Sequence, residues 1–95
     1  MIHELFKIIE ERKKNPTVGS YTNFLLESGG DRIAQKFGEE AIELVVAASN
    51  QSDQRVMEES ADLIYHLLVL LAYKGITLTD IEKELEARHH GAENK

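Results

Sequence analysis

Four carboxylates in the middle of the chain are spaced for chemistry. Glu40 and Glu43 stand three residues apart, and Glu59 and Asp62 repeat that spacing. In a helix, residues i and i+3 share a face, so each pair presents two carboxylates about one turn apart. Only Asn50-Gln51-Ser52 separates the two helical stretches, which predicts an antiparallel hairpin. Residues equidistant from its turn then face each other: Glu43 with Glu59, Glu40 with Asp62, Lys36 with His66. Charged helix residues are usually solvated, and one Glu-x-x-Glu says little. The second pair, however, lies in an otherwise apolar helix, where Glu59, Asp62, His66 and Tyr73 form one narrow stripe. Four carboxylates held together raise one another's pKa unless a cation neutralises them. A set made only of oxygens suits a hard ion, Mg²⁺ or alternatively Mn²⁺.

Two other readings of these acids compete with the metal. One is an internal ion-pair network with Lys36, Arg32 or Arg55, which is costly to bury. The other is a di-iron carboxylate bundle, which wants Glu-x-x-His motifs. Here Asp62 stands three residues after Glu59, and His66 comes later. His66 reads better as a hydrogen-bond donor behind the ligands, or as a satisfied core histidine, than as a ligand itself.

Mg²⁺ with open positions commonly finds phosphates there. Basic residues stand near the same end of the fold: Arg12, Lys13 and Lys14 close the first helix, and Lys36 lies beside the acids. Ser20-Tyr21-Thr22, at a helix start, offers hydroxyls and free backbone N–H groups to an anion. The chain has neither a Walker A motif nor a dinucleotide glycine fingerprint, so kinase, GTPase and Rossmann readings fail. Nothing in the sequence orders a Ser–His–Asp triad.

The elements that must hold these residues read as helices throughout. The first spans Ile2 to Lys14, with Ile2, Leu5, Phe6 and Ile9 as its stripe, and Asn15-Pro16 ends it. Ser20 caps a short helix, Tyr21 to Ser28, which stops at Gly29-Gly30. Asp31 is the expected N-cap of a long helix from Arg32 to about Ser49, with Ile33, Phe37, Ala41, Leu44, Val45 and Ala48 turned inward. The next long helix, Asp53 to Lys74, closes on Gly75. Thr79 and Glu82 have capping-box spacing for a last helix ending near Arg88. The single domain is thus expected over residues 1–88, with 89–95 as a flexible tail. From Leu63 to Tyr73 almost every residue is apolar. Such a helix demands burial on all sides, more than three small neighbours supply, so the bundle is expected to be completed by a homodimer or an assembly of dimers.

Composition narrows the function classes. Ninety-five residues without cysteine exclude a disulfide scaffold and thiolate metal sites. Eleven Lys and Arg against 17 Asp and Glu give a net charge of −6, the wrong sign for a nucleic-acid partner. Leu63 to Tyr73, the longest apolar stretch, falls short of the roughly 20 residues that span a bilayer. The N-terminal stretch carries Glu4, Glu10 and Glu11 and no small-residue cleavage site, so it does not read as a signal peptide, and a cytoplasmic protein without a membrane partner is expected.

The motifs together resemble a known family. Glu40-x-x-Glu43 followed by Glu59-x-x-Asp62 resembles the signature of the all-α, MazG-type NTP pyrophosphohydrolases. Glu11-Arg12-Lys13, Ser20-Tyr21-Thr22, Lys36-Phe37-Gly38-Glu39-Glu40-Ala41 and the run Asp62 to Leu71 are similar, more narrowly, to the phosphoribosyl-ATP pyrophosphohydrolases, from about Leu5 to Arg88. In many organisms that domain follows a cyclohydrolase domain, and this chain looks like the stand-alone form. The resemblance implies Mg²⁺-dependent cleavage of phosphoribosyl-ATP between its α- and β-phosphates, the second step of histidine biosynthesis. It implies Glu40, Glu43, Glu59 and Asp62 as metal ligands, with Glu39 and Glu40 as candidates for the catalytic step. Arg12, Lys13, Ser20, Tyr21, Thr22, Lys36 and His66 would meet the substrate. A house-cleaning pyrophosphohydrolase of ordinary or modified (d)NTPs, and a non-catalytic helical dimerisation module, are the rival readings.

Overall fold

The computed structural model describes the chain from Met1 to Glu93, with side chains to His89. Five helices follow one another: α1 (Ile2–Lys14), α2 (Tyr21–Ser28), α3 (Gly30–Asn50), α4 (Asp53–Lys74) and α5 (Leu78–Glu93). The described residues contain no strand, so the fold is all-α.

Local chemistry sets the boundaries. Ser20 and Ser52 cap α2 and α4 by accepting the amides of Asn23 and Arg55 at 3.3 Å. Gly75 ends α4 in the left-handed region at φ 76°, ψ 18°, where a Cβ is strained. Two expected caps are displaced. Gly29, at φ 91° and ψ 166°, takes a conformation that is essentially glycine's alone, so α3 starts at Gly30 and Asp31 falls inside its first turn, against the positive end of the helix dipole. At α5 the box is made by Thr77 and Asp80, not Thr79 and Glu82: the Thr77 amide donates to Asp80 Oδ2 at 2.9 Å, and the Asp80 amide to Thr77 Oγ1 at 3.1 Å. The earlier start lets Leu78 and Ile81 pack on the core, while Glu82 meets His3 at 3.1 Å. α5 also runs past the expected boundary at Arg88 to Glu93; residues 94–95 of the expected tail lie outside the described residues.

The core sits at one end of the α3–α4 hairpin. Phe6 and Ile9 of α1, Leu25 of α2 and Ile33 of α3 close around Leu68, Val69, Leu71 and Ala72 of α4. The inward stripe of α3 is rotated from the expected one. Ile33 and Ala47 are buried and Phe37, Glu40 and Leu44 half-buried, whereas Val45 and Ala48 are exposed. Apolar residues lie on both flanks of this helix, and packing against α4 chooses between them.

Beyond the core the hairpin projects. The radius of gyration is 15.2 Å and the extents are 48 × 34 × 25 Å, against roughly 12–13 Å for a compact chain of this length. Ile42 (67% exposed), Val45 (65%), Val46, Met57 and Ile64 lie open along the hairpin. The apolar helix is therefore not enclosed on all sides within one chain. Among the described residues no single helix is long and apolar enough to cross a membrane.

Candidate metal centre

The inward rotation of α3 carries Glu40 toward α4, and the hairpin register brings Glu59 opposite. Glu40, Glu43 and Glu59 each offer a carboxylate oxygen within 4.8 Å of the others. Glu59 is only 4% exposed. One oxygen of Glu40 and one of Glu59, both Oε2, are buried and accept no hydrogen bond, which is costly for an ionised carboxylate. The Glu40 carboxyl is pushed up from 4.5 to about 7, first by burial, then by the charge of Glu43, by close approach to the Glu59 carboxylate and by Asp62. With both carboxyls ionised, neither Oε2 atom meets a donor. Bare oxygens and crowded negative charge fit a hard cation.

The rival ion-pair reading meets a partial counterpart. Arg55 pairs through one guanidinium nitrogen with Glu59 Oε1 and through the other with Glu58. One guanidinium shared in this way does not neutralise three carboxylates, and it leaves both Oε2 atoms bare. Arg32 is exposed. Lys36 lies 4.0 Å from Glu39, and Glu39 is exposed and outside the triad. Asp62 is exposed and outside the triad, though its charge reaches Glu40.

The other candidates divide. His66 is buried, with Nδ1 2.8 Å from the Asp62 carbonyl and Nε2 3.2 Å from Tyr21 Oη. A carbonyl only accepts, so Nδ1 carries the proton, and in the neutral ring Nε2 accepts from the Tyr21 hydroxyl. His66 thus ties α4 to α2 and does not pair with Lys36. Ser20 serves as a helix cap, and the hydroxyl of buried Thr22 bonds Tyr65 Oη. Burial pushes the Tyr65 phenol up, opposed by that bond and by the nearby charge of Arg12. Lys13 donates to the Ala72 carbonyl at 2.8 Å, ten residues and so about 15 Å along α4 from Asp62. The structure does not bring it to the acids.

Sequence reasoning gave no role to two residues in this region. Asn23 is buried, donates to the Arg12 carbonyl at 2.7 Å and accepts the Thr17 amide at 2.8 Å, fixing the α1–α2 connection. Tyr65 stacks on Tyr21, with ring centres 6.2 Å apart. The concave space of about 560 Å³ beside α2 is lined by Val18, Ser20, Tyr21, Phe24 and Glu27 among others, and by none of the clustered acids.

With this geometry in hand, comparison with known proteins is decisive. The family model of phosphoribosyl-ATP pyrophosphohydrolase matches residues 2–89. The chain belongs to this family. It is 47% identical over its full length to the phosphoribosyl-ATP pyrophosphatase of Clostridium acetobutylicum, covering 86% of that protein. The enzyme of that name from Bacillus cytotoxicus is 47% identical over 93% of the chain and 82% of its own length. The histidine biosynthesis bifunctional protein HisIE of Caldanaerobacter subterraneus is 52% identical over 94% of the chain, which covers 43% of that longer protein. Family membership thus agrees with the motifs and with the all-α architecture expected from them.

Proposed function

We propose that this protein hydrolyses phosphoribosyl-ATP to phosphoribosyl-AMP and pyrophosphate, as its relatives' names describe for them, with Mg²⁺ as the physiological cation. The single observation that carries the metal-dependent reading is the pair of buried, unpartnered carboxylate oxygens on Glu40 and Glu59. Glu40, Glu43 and Glu59 would hold the ion, with Asp62 as fourth carboxylate. When bound, the ion supplies polarisation of the attacked phosphorus and shields the charge of the departing pyrophosphate. Glu40 would serve as a ligand in its ionised form. Lys36 and Arg12 supply positive charge to the phosphates, and Glu39, solvent-facing and next to the ligand layer, orients the attacking water and takes its proton. Ser20, Tyr21 and Thr22 build the substrate-facing end of α2, and His66 holds Tyr21 there.

The exposed flank of the hairpin supports a homodimer, with Ile42, Val45, Val46, Met57 and Ile64 against the same residues of a second copy. A row of large apolar side chains along a projecting hairpin is the usual mark of a protein contact. The deciding assay is pyrophosphate release from phosphoribosyl-ATP with Mg²⁺, with Mn²⁺ and with EDTA, beside dUTP and dCTP. Release that ignores EDTA removes the metal role; equal kcat/KM for dCTP favours a house-cleaning enzyme; no release from any nucleotide leaves a non-catalytic module.

A further inference from the structure

We infer that the concave face of α2 is the seat of a purine ring, with Tyr21 and Phe24 as its stacking floor and Glu27 as acceptor for an exocyclic amine. The inference rests on reading the protein as a nucleotide pyrophosphohydrolase, and it places the base end of the substrate. Tyr21 and Phe24 stand one turn apart, with ring centres 6.2 Å apart and planes 22° from parallel. Tyr21 is locked from behind, stacked on Tyr65 at the same separation and edge-on to His66 at 6.1 Å. Both residues nevertheless stay partly exposed, Tyr21 at 48% and Phe24 at 54%. Ordered, solvent-accessible aromatic rings are what a flat heterocycle stacks upon.

The space above them, about 560 Å³, is in the range of small-molecule sites. Its lining includes Val18, Gly19 and Ser20, and its one titratable group besides the Tyr21 phenol is the Glu27 carboxylate. Its lining has no Lys or Arg to meet a phosphate, and it has a carboxylate at its edge. It suits an uncharged, aromatic, amine-bearing group. It is also tied to the helix that carries Glu59 and Asp62: Tyr21 Oη lies 3.2 Å from His66 Nε2, and His66 Nδ1 lies 2.8 Å from the Asp62 backbone carbonyl. A nucleotide lying across this bridge keeps its phosphates toward the carboxylates and its base over α2.

The test uses AMP as probe on the isotope-labelled protein, with and without Mg²⁺, and ribose 5-phosphate as the baseless control. AMP is expected to shift the amide signals of Gly19, Phe24 and Glu27, and ribose 5-phosphate to leave them in place. Phe24→Ala should weaken AMP binding roughly tenfold or more, and Phe24→Tyr should restore it. With phosphoribosyl-ATP, Phe24→Ala should raise KM more than it lowers kcat. Phe24 is half exposed, so the variant is expected to fold, and its melting curve checks this. Unchanged AMP affinity in Phe24→Ala overturns the proposal. So does a variant that changes oligomeric mass while keeping AMP affinity, since the face would then be a contact between copies. If phosphoribosyl-ATP is hydrolysed while AMP ignores α2, this seat fails and the activity stands. If AMP seats on α2 and no nucleotide is hydrolysed, the activity fails and the seat stands.

Discussion

Glu40 is where the cost of the site is concentrated. Its carboxyl is held at about 7 in the folded protein, against an ordinary value of 4.5. Between those values the folded state binds the extra proton, so unfolded chains hold fewer and stability falls as pH rises through that window. In EDTA, wild-type protein should therefore lose thermal stability from pH 5 to pH 8 relative to Glu40→Gln, and the variant should be the more stable at pH 8. Parallel melting curves for the two would remove this assignment. Mg²⁺ should stabilise the wild type more than the variant, because it binds only where the ligands converge. Glu59→Gln is expected to lower kcat/KM for phosphoribosyl-ATP by at least about 100-fold, since even residues behind metal ligands cost 10–100-fold. Arg55→Gln strands the buried Glu59 carboxylate, whose Oε1 Arg55 now holds. Melting in EDTA should drop, and Mg²⁺ should narrow the gap to wild type. An unaltered melt would mean that the ion pair is only a surface contact.

At the scale of elements, α2 is held to its neighbours by side chains more than by its length of eight residues. Such a helix has little stability of its own. Asn23 hooks the end of α1 and the Thr17 loop together, and Thr22 and Tyr21 reach Tyr65 and His66 on α4. Asn23→Ala removes the partners of the part-buried Arg12 carbonyl and of the Thr17 amide, a loss of about 2 kcal/mol. In a domain this size that is a fall in Tm of roughly 8–16 °C. A shift under a few degrees would show that water replaces both bonds. Lys13 belongs to this scale too. Its ammonium on the Ala72 carbonyl caps the negative end of α4, which accounts for a basic residue in the family-like Glu-Arg-Lys run that does not reach the acids.

The whole molecule leaves one demand unmet. The α3–α4 hairpin carries its acids between a packed end and an open end, and the open end is apolar on its outer flank. A dimer through this flank would enclose it. Light scattering should give about twice the chain mass of 10.8 kDa. Val45→Lys, on a residue 65% exposed, should return the mass to one chain while leaving helix content intact. A single-chain mass for the wild type at micromolar concentration would refute the dimer. Loss of pyrophosphate release on dissociation would further mean that the site needs both copies.

Much of this architecture was legible in the chain. Asn15-Pro16, Ser20 and Gly75 act through one or two backbone groups each, and local steric and hydrogen-bonding rules place them without knowledge of the rest. The i, i+3 spacing of the acids and the short turn sufficed to bring Glu40, Glu43 and Glu59 together, because hairpin register follows from counting. What counting leaves free is rotation about each helix axis and the aim of long side chains. Packing against α4 turned Ala47 inward in place of Val45 and Ala48 on α3. Rotamer and reach sent Lys36 to Glu39, Lys13 to Ala72 and Arg55 to Glu59, left Asp62 outside the triad, and spent both ring nitrogens of His66 on contacts the sequence did not name. Those choices depend on which surfaces exclude water and which neighbours stand within a few ångströms, and only the tertiary structure supplies that.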